Sequence, residues 1–324
     1  MHLSIGVDVG NYDTKTQHTV TPSGYSVNST KPLLEKQPLF YNGLYYTPSR
    51  KRIEYAKDKT ENDQCLILTL LGIAKEVEWA AKENASHSVD NVSTTERLQS
   101  FVNGITSVSI GVGLPVGDFS ALEPKTKAYY QDKFARGIYF KYGDVEYQLP
   151  FRSLKVFPQD VLPVCANPDC EIAMEYPKYV IIGVGGQTVD IIPIVDGSPD
   201  VERCTSSRRG IRNMFSEIID RLDAAYGVTV EEGTINDVLL GRKTPLPDNI
   251  CDTIRDEARK RANELLGICA TKNISYMEYP VVFFGGGALL LRPFLEENKQ
   301  LITYRFVEDI NGNAKSYADF LEEE

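Results

Sequence analysis

Residues 181–197, IIGVGGQTVDIIPIVDG, join two β-rich runs through a glycine turn. Apolar and β-branched residues flank Gly185 and Gly186, which predicts a strand, a tight turn and a second strand. Asp190 follows on the second arm. Position 183 is glycine, although a metal-binding enzyme would be expected to carry a carboxylate beside such a turn.

Two further glycine turns occur, DVGNYDTK at residues 8–15 and GGGA at residues 285–288. Glycine lets a backbone approach phosphate closely, and successive amide groups form an anion-binding nest. Two such hairpins from two domains would clamp a triphosphate, and a third turn that opens a helix would leave space for a nucleoside. Lys15 would add a positive charge on the phosphates. Asp8 and Asp190 would hold a hydrated Mg²⁺ ion, directly or through its waters.

Taken singly, each turn is typical of an ordinary hairpin. Neither a Walker A sequence nor a G-x-G-x-x-G pattern occurs in its proper context. The nucleotide hypothesis therefore depends on the order of the turns: a hairpin at the N-terminus, a hairpin past the middle, and a glycine–helix turn near the C-terminus. The repeated hairpin also suggests a duplicated α/β domain.

Composition indicates a globular protein and excludes several classes of function. The 324 residues suit two domains, and 42% apolar with 25% charged residues is ordinary. The net charge of −10 argues against a large direct nucleic-acid surface. We expect a cytoplasmic protein with no membrane contact, because neither a leader nor a long apolar run is present. Six scattered cysteines and three histidines predict neither a zinc site nor a catalytic triad, so the cysteines are expected to be structural thiols.

Hydrophobic periodicity predicts alternating strands and helices. Strands are expected at 3–9, 14–20, 107–115 and 154–158, with hairpins at 139–151 and 181–197. Helices are expected at 65–84, 121–135, 210–227, 229–241, 247–273 and 311–324, a polar loop at 84–96, and a strand, turn and helix at 279–298. Trp79 and the leucines of 66–71 are expected in the core. Asp160 is interpreted as the cap of a short helix, with a catalytic role as the alternative.

The order of the motifs resembles the actin, sugar-kinase and heat-shock-chaperone ATPase superfamily. DVGNYDTK is similar to its first phosphate motif, GVGGQTVD to its second, and VVFFGGGALLLRPF to its adenosine motif. The segments GLPVGDF, VFPQDVLP, RRGIRNMFSEI and NGNAKSYADFL are similar to bacterial actin-like plasmid-partition proteins of the ParM/StbA type. The resemblance spans nearly the whole chain. It implies an α/β actin-like ATPase fold, with two ribonuclease H-like domains, 1–165 plus 303–324 and 166–302, flanking a nucleotide cleft.

The resemblance also implies site residues. The catalytic set is Asp8, Gln159 and Asp190, with Mg²⁺ held by Asp8 and Asp190 through water. Gln159 falls where the superfamily places the residue that orients the attacking water. Partition actins often carry glutamate there, which alone can also act as a base. Residues expected to contact ATP, or GTP in its place, lie in the glycine turns and at one helix start: Gly10, Asn11, Tyr12, Lys15, Gly185, Gly186, Gln187, Thr188, Gly210, Asn213, Met214, Gly285, Gly286, Gly287 and Ala288.

Gly183 departs from the family pattern. The second phosphate motif usually begins with aspartate, as D-x-G-G-x-T-x-D, and that carboxylate normally helps to hold the magnesium hydration shell or the attacking water. Two explanations are open: a divergent, slow ATPase, or an engineered substitution that traps ATP. We expect nucleotide binding to survive and hydrolysis to be slowed. The alternative is that Asp8 and Asp190 suffice.

The leading functional hypothesis is a filament protein that segregates plasmid DNA in the bacterial cytoplasm. Monomers would bind ATP, join head to tail by a contact that repeats without closing, and separate after hydrolysis. The expected partners are further copies of the chain and a small DNA-binding adaptor at a plasmid centromere, because an acidic protein suits an indirect link to DNA. Two other hypotheses are a small-molecule kinase, for which Asp118 is the available base in GVGLPVGDF, and a non-hydrolysing nucleotide-binding scaffold.

Overall fold

A computed structural model describes residues 1–33, 37–52, 58–85, 93–167 and 170–323, with the side chains of 50–52 left aside. These residues form two compact units. Unit 1 comprises Met1–Leu114, Asp118–Pro163 and Asn311–Glu324, and unit 2 comprises Pro115–Gly117 and Val164–Ile310. Within the described residues, every helix is too short or too polar to be a candidate membrane span.

The chain contains both strands and helices, as the periodicity predicts, although in the described residues six strands precede the first helix. The strands are β1 (His2–Val9), β2 (Asp13–Lys15), β3 (Val20–Pro22), β4 (Gly24–Asn28), β5 (Leu39–Tyr41), β6 (Leu44–Arg52), β7 (Ser107–Leu114), β8 (Ile138–Tyr142), β9 (Val145–Leu149), β10 (Phe151–Pro158), β11 (Lys178–Val184), β12 (Val189–Val195), β13 (Ser198–Pro199), β14 (Thr205–Ser207), β15 (Val281–Phe284) and β16 (Tyr304–Phe306). The helices are α1 (Gln64–Ala85), α2 (Thr94–Asn103), α3 (Val116–Lys133), α4 (Leu162–Cys165), α5 (Glu171–Glu175), α6 (Ile211–Tyr226), α7 (Glu232–Leu239), α8 (Asp248–Thr271), α9 (Gly286–Leu295) and α10 (Gly312–Glu322).

The main sheets of the two units share one strand order. In unit 1 the order is β3-β2-β1-β7-β10, with β1 antiparallel to β2 and parallel to β7. In unit 2 the order is β13-β12-β11-β15-β16, with β11 antiparallel to β12 and parallel to β15. Apart from β14, a sixth strand of the unit 2 sheet that also pairs with β12, each sheet therefore reads 3-2-1-4-5 in its own order of appearance. This repetition confirms the duplicated α/β domain, and it places a glycine hairpin at the centre of each sheet.

Unit 1 has a second, antiparallel sheet, and helix α1 packs in a core that both sheets line. The second sheet has the order β4-β6-β5-β8-β9, and its β8–β9 hairpin turns at Gly143 as predicted. Residues 65–74 of α1 are all buried, which confirms the predicted core leucines. Trp79 is only half-buried, and its ring stacks on that of His18 with a centroid separation of 3.3 Å.

Helix α10 packs directly on β1 and β7, because both strands carry glycine at the contact. A Cβ atom on Gly6 would overlap the carbonyl oxygen of Ala314. A Cβ atom on Gly111 would lie 2.7 Å from Cβ of Tyr317. The C-terminal helix is thus seated against the backbone of β1, which leads to the first glycine turn, and of the neighbouring strand β7.

Three predicted elements differ in the structure. The strand expected at 14–20 is two short strands, β2 and β3, because the chain turns where the amide of Thr16 donates to the carbonyl oxygen of Thr19 at 3.0 Å. The loop expected at 84–96 ends early: α2 begins at Thr94 after a capping box of Ser93 and Glu96. The rest of that loop, 86–92, lies outside the described residues. Helix α3 also begins five residues before the predicted start, at Val116.

Candidate functional site

The first glycine turn closes the hairpin β1–β2. The amide of Gly10 donates to the carbonyl oxygens of Asp8 and Asp13, at 3.1 and 3.2 Å. A Cβ atom on Gly10 would lie 2.9 Å from the carbonyl oxygen of Asp13, so this close turn requires glycine. Asn11 and Tyr12 form the turn itself, half-buried. The structure therefore gathers the predicted residues of this motif at one end of β1.

Asp8 is the centre of a buried polar network in unit 1. The residue is 8% exposed. Gln159 donates from Nε2 to Oδ1 of Asp8 at 2.6 Å, and Asn313 donates from Nδ2 to Oδ2 at 3.2 Å. Because an ionised carboxylate only accepts hydrogen bonds, both amides must present their NH₂ groups to it, and this fixes their orientation. Two predicted catalytic residues, Asp8 and Gln159, therefore touch, and Asn313 joins them.

Asn313 also makes two hydrogen bonds to Asp160, the residue that follows Gln159. Its Nδ2 donates to Oδ1 of Asp160 at 2.9 Å, and its Oδ1 accepts from the backbone amide of Asp160 at 2.8 Å. Asp160 has a φ of 67° and lies two residues before α4, whereas a capping residue directly precedes its helix with an extended backbone. The predicted capping role of Asp160 is wrong, because its left-handed backbone and its carboxylate are held by Asn313.

Tyr317 lies beside this network. Its ring stacks on Phe157 with a centroid separation of 5.0 Å, and its hydroxyl group has no hydrogen-bond partner among the described residues. Burial raises the pKa of Tyr317 well above its usual value, and the charges of Asp8 and Asp160 raise it further. The phenol of Tyr317 therefore stays neutral.

Two lysines lie close to the first turn and are used differently. Lys15 is the cross-strand neighbour of Asp8, and its side chain makes no hydrogen bond or ion pair with any described residue. Lys59 donates from Nζ to the carbonyl oxygens of Val9 and Gly113, at 3.0 and 3.1 Å. Lys15 is thus available to a ligand, whereas Lys59 bridges the carboxyl ends of β1 and β7.

Two residues at this turn, Lys59 and Asn313, are not among those predicted from the sequence. Lys59 lies in the charged run KDKTEND, which is typical of a solvated loop. Asn313 lies within the segment NGNAKSYADFL that carried the family resemblance, so the resemblance was the signal available for it. Both residues reach the first turn from distant parts of the chain, which local periodicity does not report.

The second glycine turn closes the hairpin β11–β12 in unit 2. The amide of Gly185 donates to the carbonyl oxygen of Thr188 at 2.9 Å. The hydroxyl group of Thr188 donates to Oδ2 of Asp190 at 3.0 Å. Gly183 is buried in β11 and pairs with Asp190 across the hairpin. The predicted turn, its threonine and its aspartate are therefore one connected structure.

The start of α6 holds this turn in place. The amides of Ile211 and Arg212 donate to the carbonyl oxygens of Gly185 and Gly186, at 3.1 and 2.8 Å. A Cβ atom on Gly210 would lie 2.5 Å from the carbonyl carbon of Gln187. The predicted residues of 185–188 and 210–214 are thus brought together, and these two α6 amides serve the turn instead of an anion.

The third glycine turn packs on the end of β11 and on the start of α6. Gly285 has a φ of 91°, and a Cβ atom there would lie 2.8 Å from the carbonyl oxygen of Val184. A Cβ atom on Gly287 would lie 2.6 Å from Cγ1 of Ile211. By contrast, a Cβ atom on Gly286 would meet nothing within 4 Å. Three predicted segments of unit 2 therefore converge, and the first residue of α9 is left open to a ligand.

Three predicted nucleotide contacts have distinct surroundings. Asn213 has a buried Oδ1 atom with no hydrogen-bond partner among the described residues, which suits a hydroxyl or amino group of a nucleoside. Met214 and Ala288 are 1% and 0% exposed in the core of unit 2. Their side chains serve packing, so any ligand contact at these two positions would come from the backbone.

A cavity of about 560 Å³ lies elsewhere in unit 2 and contains none of the predicted site residues. Its lining includes Arg292, Arg305 and Glu308. Both arginines are paired with acids, since Arg292 lies 3.2 Å from Glu308 and Arg305 lies 3.3 Å from Glu171. The cavity therefore offers no uncompensated positive charge for a phosphate.

No protein-family model matches the sequence, and no curated protein matches it. Solved structures do match. An archaeal actin homolog in complex with ADP has a TM-score of 0.70 at 17% identity, over 99% of this chain and 100% of that chain. A Bacillus thuringiensis ParM with ATP has a TM-score of 0.63 at 15% identity, over 98% of both chains. The ParM of a 15-stranded filament from Clostridium botulinum has a TM-score of 0.64 at 15% identity, over 100% of both chains.

These likenesses confirm the predicted α/β actin-like fold with two domains. The structural neighbours are archaeal actin homologs and ParM proteins, so the resemblance to actin-like proteins of the ParM type is confirmed at the level of the fold. At identities of 17% or less, the likeness shows the fold alone.

Proposed function

We propose that this chain is an actin-like filament protein that binds ATP, or GTP in its place, polymerises with nucleotide bound, and disassembles after hydrolysis to segregate plasmid DNA. The observation that carries the proposal is the 2.6 Å hydrogen bond from Gln159 to Asp8 beside the first glycine turn. It joins a candidate water-orienting amide to a candidate phosphate-site carboxylate. In unit 2, we assign Asp190 and the adjacent glycines of the second turn to the phosphates as well.

The roles of the first-turn residues follow from their contacts. Gln159 has its Nε2 atom committed to Asp8, so its Oε1 atom is the end that accepts a hydrogen bond from an attacking water. Lys15 has no competing partner among the described residues, and its ammonium group would bind phosphate oxygens. The first glycine turn would also bring backbone amides close to the same phosphates.

The residues present fit a magnesium ion held mainly by water and phosphate. No three His, Cys, Asp or Glu side chains among the described residues form a metal-binding group. Mg²⁺ bound with nucleotides typically takes one or two carboxylates plus phosphate oxygens and keeps several waters. Asp8 and Asp190 are the carboxylates that would hold it through water. When bound, the ion would neutralise charge on the phosphates.

In unit 2 the second and third turns support the nucleoside part of the proposal. Gly286, at the start of α9, leaves space for a ligand, and Asn213 offers an unpaired oxygen atom to a hydroxyl or amino group. Both features lie in segments that pack on the second phosphate turn through Val184 and Ile211. We therefore assign the nucleoside to this part of unit 2.

Self-association and cargo follow from the resemblance and the charge. Filament structures occur among the structural neighbours, including a 15-stranded ParM filament. We propose that copies of this chain form a helical filament through a contact that repeats without closing. With a net charge of −10, the protein would reach a plasmid centromere through a small DNA-binding adaptor in the bacterial cytoplasm.

The test is light scattering with pelleting after addition of Mg-ATP, with phosphate release followed in the same sample. Scattering that rises and then falls as phosphate appears is the result expected of a dynamic filament. Scattering that rises and persists with little phosphate would indicate a filament whose hydrolysis is slowed by Gly183. No scattering at any protein concentration would overturn the filament proposal and favour the kinase or the scaffold.

A parallel measurement with GTP identifies the nucleotide. The kinase alternative needs a catalytic base, and its candidate, Asp118, lies in the first turn of α3, where a carboxylate stabilises the positive end of a helix.

The Lys15→Ala variant provides the matched control. It should keep its fold and lose nucleotide-dependent scattering, because Lys15 makes no bonds within the described residues.

A further inference from the structure

We propose that Asn313, on the C-terminal helix α10, is the positioning residue that sets the orientation of Gln159 at Asp8. The inference deepens the proposed hydrolysis and rests on it for its catalytic consequence. Its structural content is the set of hydrogen bonds from the Asn313 side chain to Asp8, to the Asp160 carboxylate and to the backbone amide of Asp160, all within unit 1.

Asn313 first fixes the backbone next to Gln159. Asn313 binds Asp160 twice, through the backbone amide at 2.8 Å and through the carboxylate at 2.9 Å. These two bonds hold Asp160 at a φ of 67°, a left-handed conformation that residues other than glycine adopt at a cost. The direction of the chain at Gln159 depends on that conformation. On its other side, the amide of Gln159 donates to the carbonyl oxygen of Leu114 at 2.8 Å.

Asn313 also fixes the carboxylate of Asp8. Asn313 occupies Oδ2 of Asp8, which leaves Oδ1 to Gln159. Two donors on separate oxygen atoms fix the plane of the Asp8 carboxylate. The Oδ1 atom that accepts from Gln159 therefore has one orientation. Asn313, Asp8, Gln159 and Asp160 thereby form a closed ring of hydrogen bonds and one peptide bond. Rotation of any one side chain breaks the ring.

The position of Asn313 is itself fixed by burial and by the packing of α10 on the sheet. The residue is 3% exposed, so water does not replace its bonds. A Cβ atom on Gly113 would lie 2.7 Å from Cγ of Gln159 and would also overlap the hydroxyl oxygen of Tyr317. The absence of a side chain at this strand position therefore lets Gln159 and α10 approach the sheet together. The helix cannot shift relative to β1 and β7 without breaking this fit.

The consequence for chemistry is the direction of one oxygen atom. With Nε2 fixed on Asp8, Oε1 of Gln159 presents its lone pairs to a water in one direction. Misplacement of a catalytic group by about 1 Å costs roughly 100-fold in rate. Loss of Asn313 would release both Asp160 and Asp8, so it should lower the rate constant of hydrolysis with little effect on nucleotide affinity.

The kinetic test compares Asn313→Ala with Asn311→Ala. Asn311 is a matched control: it lies on the same end of α10, is 9% exposed, and donates to backbone carbonyl oxygens such as that of Thr16 at 2.9 Å. We expect Asn313→Ala to lower kcat about 10- to 100-fold with KM within about threefold. Asn311→Ala should lower the Tm by a similar amount and keep kcat. Equal losses of kcat in both variants would overturn the positioning role.

A second measurement does not depend on hydrolysis. The side-chain amide of Gln159 gives an NMR signal that is assigned by its loss in Gln159→Glu. In the nucleotide-free chain, that signal should shift and exchange faster with solvent in Asn313→Ala, and stay unchanged in Asn311→Ala. Asn313→Ser, which keeps a hydroxyl group too short to bridge both aspartates, should give the same shift if Asn313→Ala folds poorly. An unchanged Gln159 signal would overturn the proposal.

The two measurements separate this inference from the proposed function. If the wild-type chain releases no phosphate, the proposed hydrolysis fails, and the NMR signal still decides whether Asn313 orients Gln159. If phosphate is released and the Gln159 signal is indifferent to Asn313, the proposed function stands and this inference fails.

Discussion

Gly183 occupies in the hairpin β11–β12 the place that Asp8 occupies in the hairpin β1–β2. Each lies two residues before the glycine whose amide closes the turn. Across the hairpin, Asp8 pairs with Lys15, and Gly183 pairs with Asp190. The first hairpin thus sets an acid opposite a base, whereas the second sets a glycine opposite an acid. The carboxylate missing from the second motif has a defined structural position, directly opposite Asp190.

Restoring that carboxylate should accelerate hydrolysis. Gly183→Asp places two carboxylates opposite each other, and like charges in such a pair destabilise by roughly 0.2–1 kcal/mol. We expect a lower unfolding midpoint without magnesium, and a rate of phosphate release raised by about tenfold or more with Mg-ATP, since the added charge acts on magnesium or water at the site. Phosphate release and thermal unfolding, each with and without magnesium, provide the measurement.

Gly183→Asn is the control, because it has the same size without the charge. It should leave the rate close to that of the wild type. A Gly183→Asp variant no faster than wild type would mean that Asp8 and Asp190 suffice.

The two lysines near the first turn should separate binding from stability. Lys15→Ala should weaken nucleotide binding by about tenfold or more, because a charged hydrogen bond contributes about 1.5–3 kcal/mol, and should leave the free energy of unfolding unchanged. Lys59→Ala should lower the free energy of unfolding by about 1–3 kcal/mol, because the carbonyl oxygens of Val9 and Gly113 lose their donor. Nucleotide titration and urea unfolding measure the two effects. A destabilised Lys15→Ala would show that this lysine serves the fold.

Gln159→Glu should not be a conservative exchange here, although partition actins often carry glutamate at this position. The new carboxylate would face Oδ1 of Asp8, which now accepts a hydrogen bond at 2.6 Å. Repulsion between two acids at that separation should lower the Tm and displace the side chain. We expect kcat to fall about 10- to 100-fold. The comparison is Gln159→Ala, which should lose a similar factor in kcat with a smaller loss of Tm. A faster Gln159→Glu enzyme would contradict the geometry.

The glycine contact beneath α10 should be sensitive to a single methyl group. Gly6→Ala would drive a Cβ atom into the carbonyl oxygen of Ala314, and overpacking of this kind costs about 1–3 kcal/mol or more. The expected result is a lower urea midpoint. Gly267→Ala is the control, because Gly267 lies in α8 with open space around it, and alanine there should stabilise by up to about 1 kcal/mol. An unaffected Gly6→Ala would mean that α10 moves away from β1 at little cost.

Local pattern predicted much of the fold. The hairpin at 181–197, the helix at 65–84 and the helix ended by Gly227 are all present. These elements carry their own signals: alternation, a 3.6-residue period, and a glycine with a φ of 64° after the helix. The start of α2 carries a signal too, the capping box of Ser93 and Glu96, but it lies in a polar stretch that is typical of a loop. The turn at Thr16 carried none, because a run of β-formers concealed it.

The sequence by itself determined the two glycine hairpins, their aspartates and the departure at Gly183, because each is a property of residues adjacent in the chain. Only the tertiary structure decided that Asn313 bridges Asp8 and Asp160 and that Met214 packs in the core. It also decided that Lys59 donates to backbone carbonyl oxygens, whereas Lys15 has no such partner within the described part of the chain. Those assignments depend on side chains that meet across long separations in sequence, such as Asn313 and Asp8, where burial forces polar groups to find partners. The sequence specifies which polar side chains are present, and tertiary packing determines which of them are in contact.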